Sequence, residues 1–240
     1  MGTDIFSGPP ENGSVPSPLK SDIFGTITRI GDTVVRDARG ARPWARWLAL
    51  RLMAREHRAL ARLALGDGIE GIPRVLQIEP GRLTRSWIEG LPMQLAKPRD
   101  PGYFRAAARL LRRLHAGNVI HNDLAKETNW LVTPDGRPAL VDFQLAMTLR
   151  HRRTSNKSHR RLKSRRSPLA RALGHDDLRH LLKHKRSYVP DNLTARERKI
   201  LATPSLASRA WMASGKKIYL FITRRVLGWQ DREGAGDRST

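Results

Sequence analysis

Two carboxylates and an amide stand close together within residues 119–146: Asp123, Asn129 and Asp142. Asp123 ends a short apolar run that includes Val119 and Ile120. Asn129 follows six residues later and opens a short strand. Pro134-Asp135-Gly136 then reverses the chain, and a second strand, 139–141, delivers Asp142. A hairpin of this form can hold all three polar side chains at one end of itself. Such a set suits phosphoryl transfer from a magnesium nucleotide: one carboxylate orients the attacking hydroxyl, and two oxygen ligands hold a hard cation. Lys126 lies between Asp123 and Asn129 and is a candidate for reaching a γ-phosphate.

Several elements must position that hairpin. Pro43 precedes a helix over 44–65 with an apolar stripe at Leu48, Leu52, Leu60 and Leu63. Glu56 falls within the stripe, and a carboxylate on a buried face needs a cation. Arg36, at the end of Thr33-Val34-Val35, is the candidate partner; an intrahelical pair with Arg51 or Arg55 is the alternative. Strand-like runs at 23–30 and 33–36 are joined by Gly31-Asp32, and only Gly25 and Gly31 are available for a phosphate-cradling loop, so a simple hairpin fits equally well. Runs at 72–78 and 82–88 read as two further strands, with Glu79-Pro80-Gly81 as their turn. They lead into Trp87-Ile88-Glu89-Gly90-Leu91-Pro92, whose glycine and proline suit a linker between two lobes. A helix over 103–116 turns Leu110, Leu111 and Leu114 inward and Arg105, Arg109, Arg112 and Arg113 outward, with Gly117 as its stop. His121 is expected to pack behind the hairpin. Helices are also expected at 177–183, at 195–202 and at 206–227, the last basic and amphipathic. That last helix is either a closing element of the larger lobe or a membrane-surface anchor.

The bulk numbers bound the class. The 240 residues allow one large domain or two small lobes, and 39% apolar content permits a sizeable core. There is no cysteine, which excludes disulfides and thiolate metal sites. No run approaches the length of a membrane span, and no signal peptide is visible. The formal net charge is +23. Residues 1–150 hold 22 basic and 15 acidic side chains, and residues 151–240 hold 23 and 7. Segment 150–166 carries nine Lys or Arg, two His and no acid. Such a field attracts polyanions, here an anionic membrane surface or RNA.

At the hairpin the chain resembles the protein-kinase-like superfamily, in particular small bacterial RIO-like serine/threonine kinases and lipopolysaccharide core kinases. His121-Asn122-Asp123 stands where kinases carry His-Arg-Asp, and Asp142-Phe143-Gln144 where they carry Asp-Phe-Gly. The interval from Asp123 to Asn129 is one residue longer than usual, which leaves Glu127 as an alternative metal ligand, and Gln144 replaces a glycine. The resemblance implies an α+β, two-lobed protein-kinase-like fold with a reduced N-terminal lobe and a mainly helical C-terminal lobe. Its parts would be a mobile leader at 1–19, a nucleotide lobe at 20–90, a catalytic lobe at 91–230 and a tail at 231–240. It implies ATP and Mg²⁺ as cofactors, with Asp123 and Lys126 catalytic, Asn129 and Asp142 on the metal, and Arg36, Glu56 and the linker at Glu89 on the nucleotide. The acceptor would be a hydroxyl on a protein or on a glycolipid sugar. The setting would be the cytoplasm or, for a peripheral protein, the inner membrane face. A module that kept the fold to bind polyanions without the chemistry is the contrasting expectation.

Overall fold

A computed structural model describes residues 16–65, 68–149 and 168–203. Segment 150–166, the expected helix at 206–227, the tail at 231–240 and most of the leader lie outside these residues. The chain begins with β1 (Ser17–Asp22), β2 (Gly25–Ile30) and β3 (Thr33–Asp37), followed by α1 (Pro43–Leu63), β4 (Val75–Glu79) and β5 (Arg82–Ser86). The five strands form one antiparallel sheet in the order β1-β2-β3-β5-β4. β1 runs through residues 17–19 of the expected leader. Its exposed, polar, proline-containing sequence lacks the alternation that marks a strand, and its only partner is β2. Gly25, at φ +112, is required where β2 starts, because a Cβ there would sit 2.1 Å from the Asp37 carbonyl oxygen.

α1 starts with Pro43 in its first turn, where a missing N–H costs nothing. It buries Ala45, Ala49, Met53, Glu56, Ala59, Leu60 and Leu63. The inward stripe therefore differs from the expected one in its first half: Leu48 and Leu52 are only half-buried, and Ala45 and Ala49 are buried instead. Small side chains let the helix approach Ala38 and Ala41 closely, which a leucine stripe would prevent.

The remaining elements are β6 (Leu91–Pro92), α2 (Met93–Ala96), α3 (Pro101–Ala116), β7 (Val119–Ile120), β8 (Trp130–Val132), β9 (Pro138–Leu140), β10 (Met147–Thr148), α4 (Pro168–Tyr188) and α5 (Ala195–Ala202). Asp100 caps α3 by accepting from the Gly102 N–H at 2.7 Å, and Pro101 occupies its first position. Tyr103, Phe104, Ala107, Leu110, Leu111 and Leu114 are buried, and the four arginines expected on the outer face are exposed, as the helical period requires. One apolar core joins this face to Leu60 and Leu63 of α1, Trp130, Leu140, Phe143 and Leu181 of α4. The molecule is thus mixed α and β, with its sheet in the N-terminal part and most of its helices after it. Among the described residues no helix is long and apolar enough to cross a membrane.

Candidate active site

Two pairings bring the chemistry-bearing residues together. β8 and β9 form the expected hairpin, with Trp130 opposite Leu140. β7 pairs with β10, placing Ile120 opposite Met147, so the chain entering Asp123 lies beside the chain leaving Asp142. Val141 is held from both sides: its N–H donates to the Asn129 carbonyl at 3.1 Å, and its carbonyl accepts from His121 Nε2 at 3.0 Å. Asp123, Asn129 and Asp142 therefore meet at one end of the hairpin.

Asn129 is buried and its orientation is determined. Its amide lies 2.8 Å from the Asp123 carbonyl oxygen and 3.0 Å from Asp123 Oδ2. Both partners only accept, so the atom facing them is Nδ2, and Oδ1 is left for a cation. Asp142 takes a left-handed conformation, φ 62, which carries the chain into the 3-10 turn Phe143–Leu145. Its Oδ1 is buried without a hydrogen-bond partner. A buried, partnerless carboxylate oxygen is costly unless a cation meets it. Among the described residues no cluster of three or more His, Asp or Glu forms a metal cage. An amide and one carboxylate are nonetheless a fitting donor set for Mg²⁺, which keeps several waters and takes its other oxygens from phosphate.

Lys126 and Glu127 both have partners within the protein. Lys126 Nζ pairs with Asp123 Oδ2 at 2.9 Å. Glu127, the alternative metal ligand, accepts from the Tyr188 hydroxyl and lies 3.6 Å from His184 Nδ1. It is tied to α4 by these two contacts.

The loop bearing Asp123 is fixed by a residue that the sequence did not single out. Asp177 of α4 is 1% exposed. Its Oδ2 accepts from the His121 N–H at 2.9 Å and its Oδ1 from the Asn122 N–H at 3.0 Å, while His115 Nε2 lies 3.0 Å from Oδ2. Asn122 adopts φ 65, and its side chain donates to the Leu145 carbonyl at 3.1 Å.

His121 is fully buried, and its ring packs on Phe143 at 4.7 Å. Burial holds its pKa below the ordinary value, as it does for His184; the nearby carboxylates of Asp177, Asp142 and Asp123 oppose the shift at His121 without reversing it. Nε2 donates to Val141, and Nδ1 is buried with no partner, so protonation would strand an N–H donor. The unfolded chain takes up these protons near pH 6.5, and the folded chain only at lower pH. Stability is therefore complete above about pH 6.5 and falls as pH drops below it, by up to about 1.4 kcal/mol per unit for each histidine. Thermal melts between pH 7.5 and 5.5 should show this decline, with a shallower slope for His121→Gln. A flat profile, or equal slopes, would contradict it.

Glu56 is 2% exposed and pairs with Arg36 Nη1 at 2.9 Å, as expected, and also with Arg85 Nε at 3.1 Å. The register explains both contacts. Arg36 stands opposite Leu83 and Val34 opposite Arg85, so both arginines share the face that buries Val34 and Leu83. The signal for Arg85 was available: it lies two residues beyond Leu83, on the same face of a strand. Removing Glu56 leaves two poorly solvated cations together. Glu56→Ala is expected to cost about 3 kcal/mol, with coupling to Arg85→Gln above about 1 kcal/mol in a double-mutant cycle. Additive effects would show that the two side chains do not act as a unit.

No protein-family model matches the sequence, and no curated protein matches it. Among solved structures, a crystal structure of monomeric WbdD resembles it weakly, with a TM-score of 0.41 and 20% identity. The match covers 51% of this chain and 32% of that one. The likeness is partial, and this chain spans less than two thirds of that chain's length.

The linker after β5 is braced on its outer side. Glu89 accepts from Trp87 Nε1 at 2.7 Å and from Arg29 Nη2 at 3.2 Å, and the Arg29 guanidinium lies 4.3 Å from the Trp87 ring centre. Both contacts fall on Glu89 Oε2, and the side chain stays largely exposed. A cavity of about 660 Å³ lies behind the linker, lined by Ile72, Ile88, Leu110, Arg74, Arg113 and Pro138 among others. Asp123, Asn129 and Asp142 do not line it. Its walls carry no residue with a place in the proposed chemistry except Glu89.

Proposed function

We propose that the chain is an ATP-dependent phosphotransferase of the two-lobed, protein-kinase-like kind, with a nucleotide lobe at 20–90 and a helical lobe at 91–230. The observation that carries the reading is the buried, partnerless Oδ1 of Asp142 beside an Asn129 amide whose nitrogen is committed to Asp123. Asn129 and Asp142 would hold Mg²⁺, which supplies charge neutralisation at the phosphates when bound. Asp123 orients the acceptor hydroxyl and receives its proton. Lys126, exposed and adjacent, balances the charge on Asp123 and can turn toward the transferred phosphoryl group. Arg36, kept in place by Glu56, stands as the cation for the α- and β-phosphates. Positioning and electrostatics are all that this chemistry asks of a protein.

The acceptor is a serine or threonine hydroxyl, in the manner of RIO-like kinases, with a lipopolysaccharide core sugar as the alternative. The competing class is a binding module without chemistry. It is favoured by the two-residue turn between β1 and β2, where no glycine-rich loop covers a phosphate. ATP turnover by the full chain with and without Mg²⁺, using protein and glycolipid fractions as acceptors, separates these readings. Metal-dependent transfer supports the enzyme. Polyanion binding with no turnover in any fraction supports the module.

A further inference from the structure

We propose that the outward face of α1 is a docking surface for an anionic lipid bilayer. This does not rest on the phosphotransferase reading. α1 contains five arginines, Arg46, Arg51, Arg55, Arg58 and Arg62, and one acid. That acid, Glu56, faces inward and is consumed by Arg36 and Arg85. At 3.6 residues per turn, Trp47, Arg51, Ala54 and Arg58 fall on one stripe, flanked by Trp44 and Arg55. Trp44 is 53% exposed and Trp47 63% exposed.

Two adjacent tryptophans in water are an unusual use of the largest apolar side chain. The cations around them are uncompensated: among the described residues Arg46, Arg51 and Arg55 make no ion pair, and Arg58 bonds only the Ala54 carbonyl within its own helix. The inner face is packed through Ala45, Ala49 and Met53, so the outer face is presented on a stiff support and needs no folding on contact.

The chemistry of this face selects its occupant. Tryptophan rings settle at the headgroup level of a bilayer, and arginines beside them meet anionic headgroups. A convex helix ridge offers a single-stranded nucleic acid no groove to follow. α1 is charged along its outer stripe, so it lies on the membrane rather than spanning it.

The test is flotation of the full chain with vesicles of phosphatidylcholine alone and with phosphatidylglycerol added. Binding is expected only with the anionic lipid and should weaken with salt. Trp44→Ser with Trp47→Ser should reduce partitioning by about tenfold or more. Arg51→Gln and Arg58→Gln should each reduce it by about fivefold at low salt. Melting temperatures of these surface variants should match wild type. Unchanged vesicle affinity in the tryptophan variant would overturn the proposal, whatever binding other segments provide. So would tryptophan-dependent affinity for single-stranded RNA without vesicle binding, which would assign the face to nucleic acid.

Discussion

Asp123→Ala is expected to lower phosphoryl transfer by about 10³-fold while leaving Mg-ATP affinity within about fivefold of wild type. The separation follows from the hydrogen bonds. Asn129 Nδ2 contacts Asp123 twice, through the carboxylate and through the main-chain carbonyl. Alanine removes the first contact and keeps the second, so the amide still turns its oxygen toward the proposed metal position. What disappears is the group proposed to orient the acceptor and take its proton. Lys126 loses its pairing with Asp123 but is well exposed, so the cost there is small. Single-turnover transfer measured beside nucleotide calorimetry checks both halves. Turnover within a few-fold of wild type would remove Asp123 from the chemistry. A parallel collapse of nucleotide affinity would mean that Asp123 acts on the metal.

Asp177→Ala should be the most damaging single change to the fold around the site, at about 3–5 kcal/mol in denaturant unfolding. The carboxylate, itself 1% exposed, satisfies two consecutive backbone donors, His121 and Asn122, the first of them in a buried bond. Asp177→Asn should recover only part of the loss, because its amide nitrogen would face one of those donors. A cost below about 1 kcal/mol for Asp177→Ala would show that the loop is held by other contacts, such as the Asn122 side chain.

What was legible in the sequence was what depends on near neighbours. The hairpin could be read because turn residues, short apolar runs and polar ends occur within one short stretch, and the structure brings Asp123, Asn129 and Asp142 to one end. α3 could be read from its cap, its period and its glycine stop. The Arg36–Glu56 pair could be read because a carboxylate on a buried face demands a cation. What was missed is set by long-range geometry. Asp177 lies 56 residues from His121, and no spacing rule connects a helix carboxylate to two backbone N–H groups that far away. Arg85 required the register of β3 on β5. β1 is stabilised by its neighbour rather than by its own pattern. The first half of α1 misled because leucines were favoured for the inner stripe over alanines, although close packing on a sheet selects small residues.

The central claim is that Asp142 and Asn129 form a magnesium-nucleotide site. Calorimetric titration of the full chain with ATP, in Mg²⁺ and in chelator, tests it most directly, with Asp142→Asn as the paired variant. The asparagine keeps size and turn geometry while removing the charge. Wild type should bind ATP saturably in Mg²⁺, and the variant should lose at least about 100-fold in Mg²⁺-dependent affinity. Equal affinity with and without Mg²⁺, or an unaltered Asp142→Asn isotherm, would contradict the account.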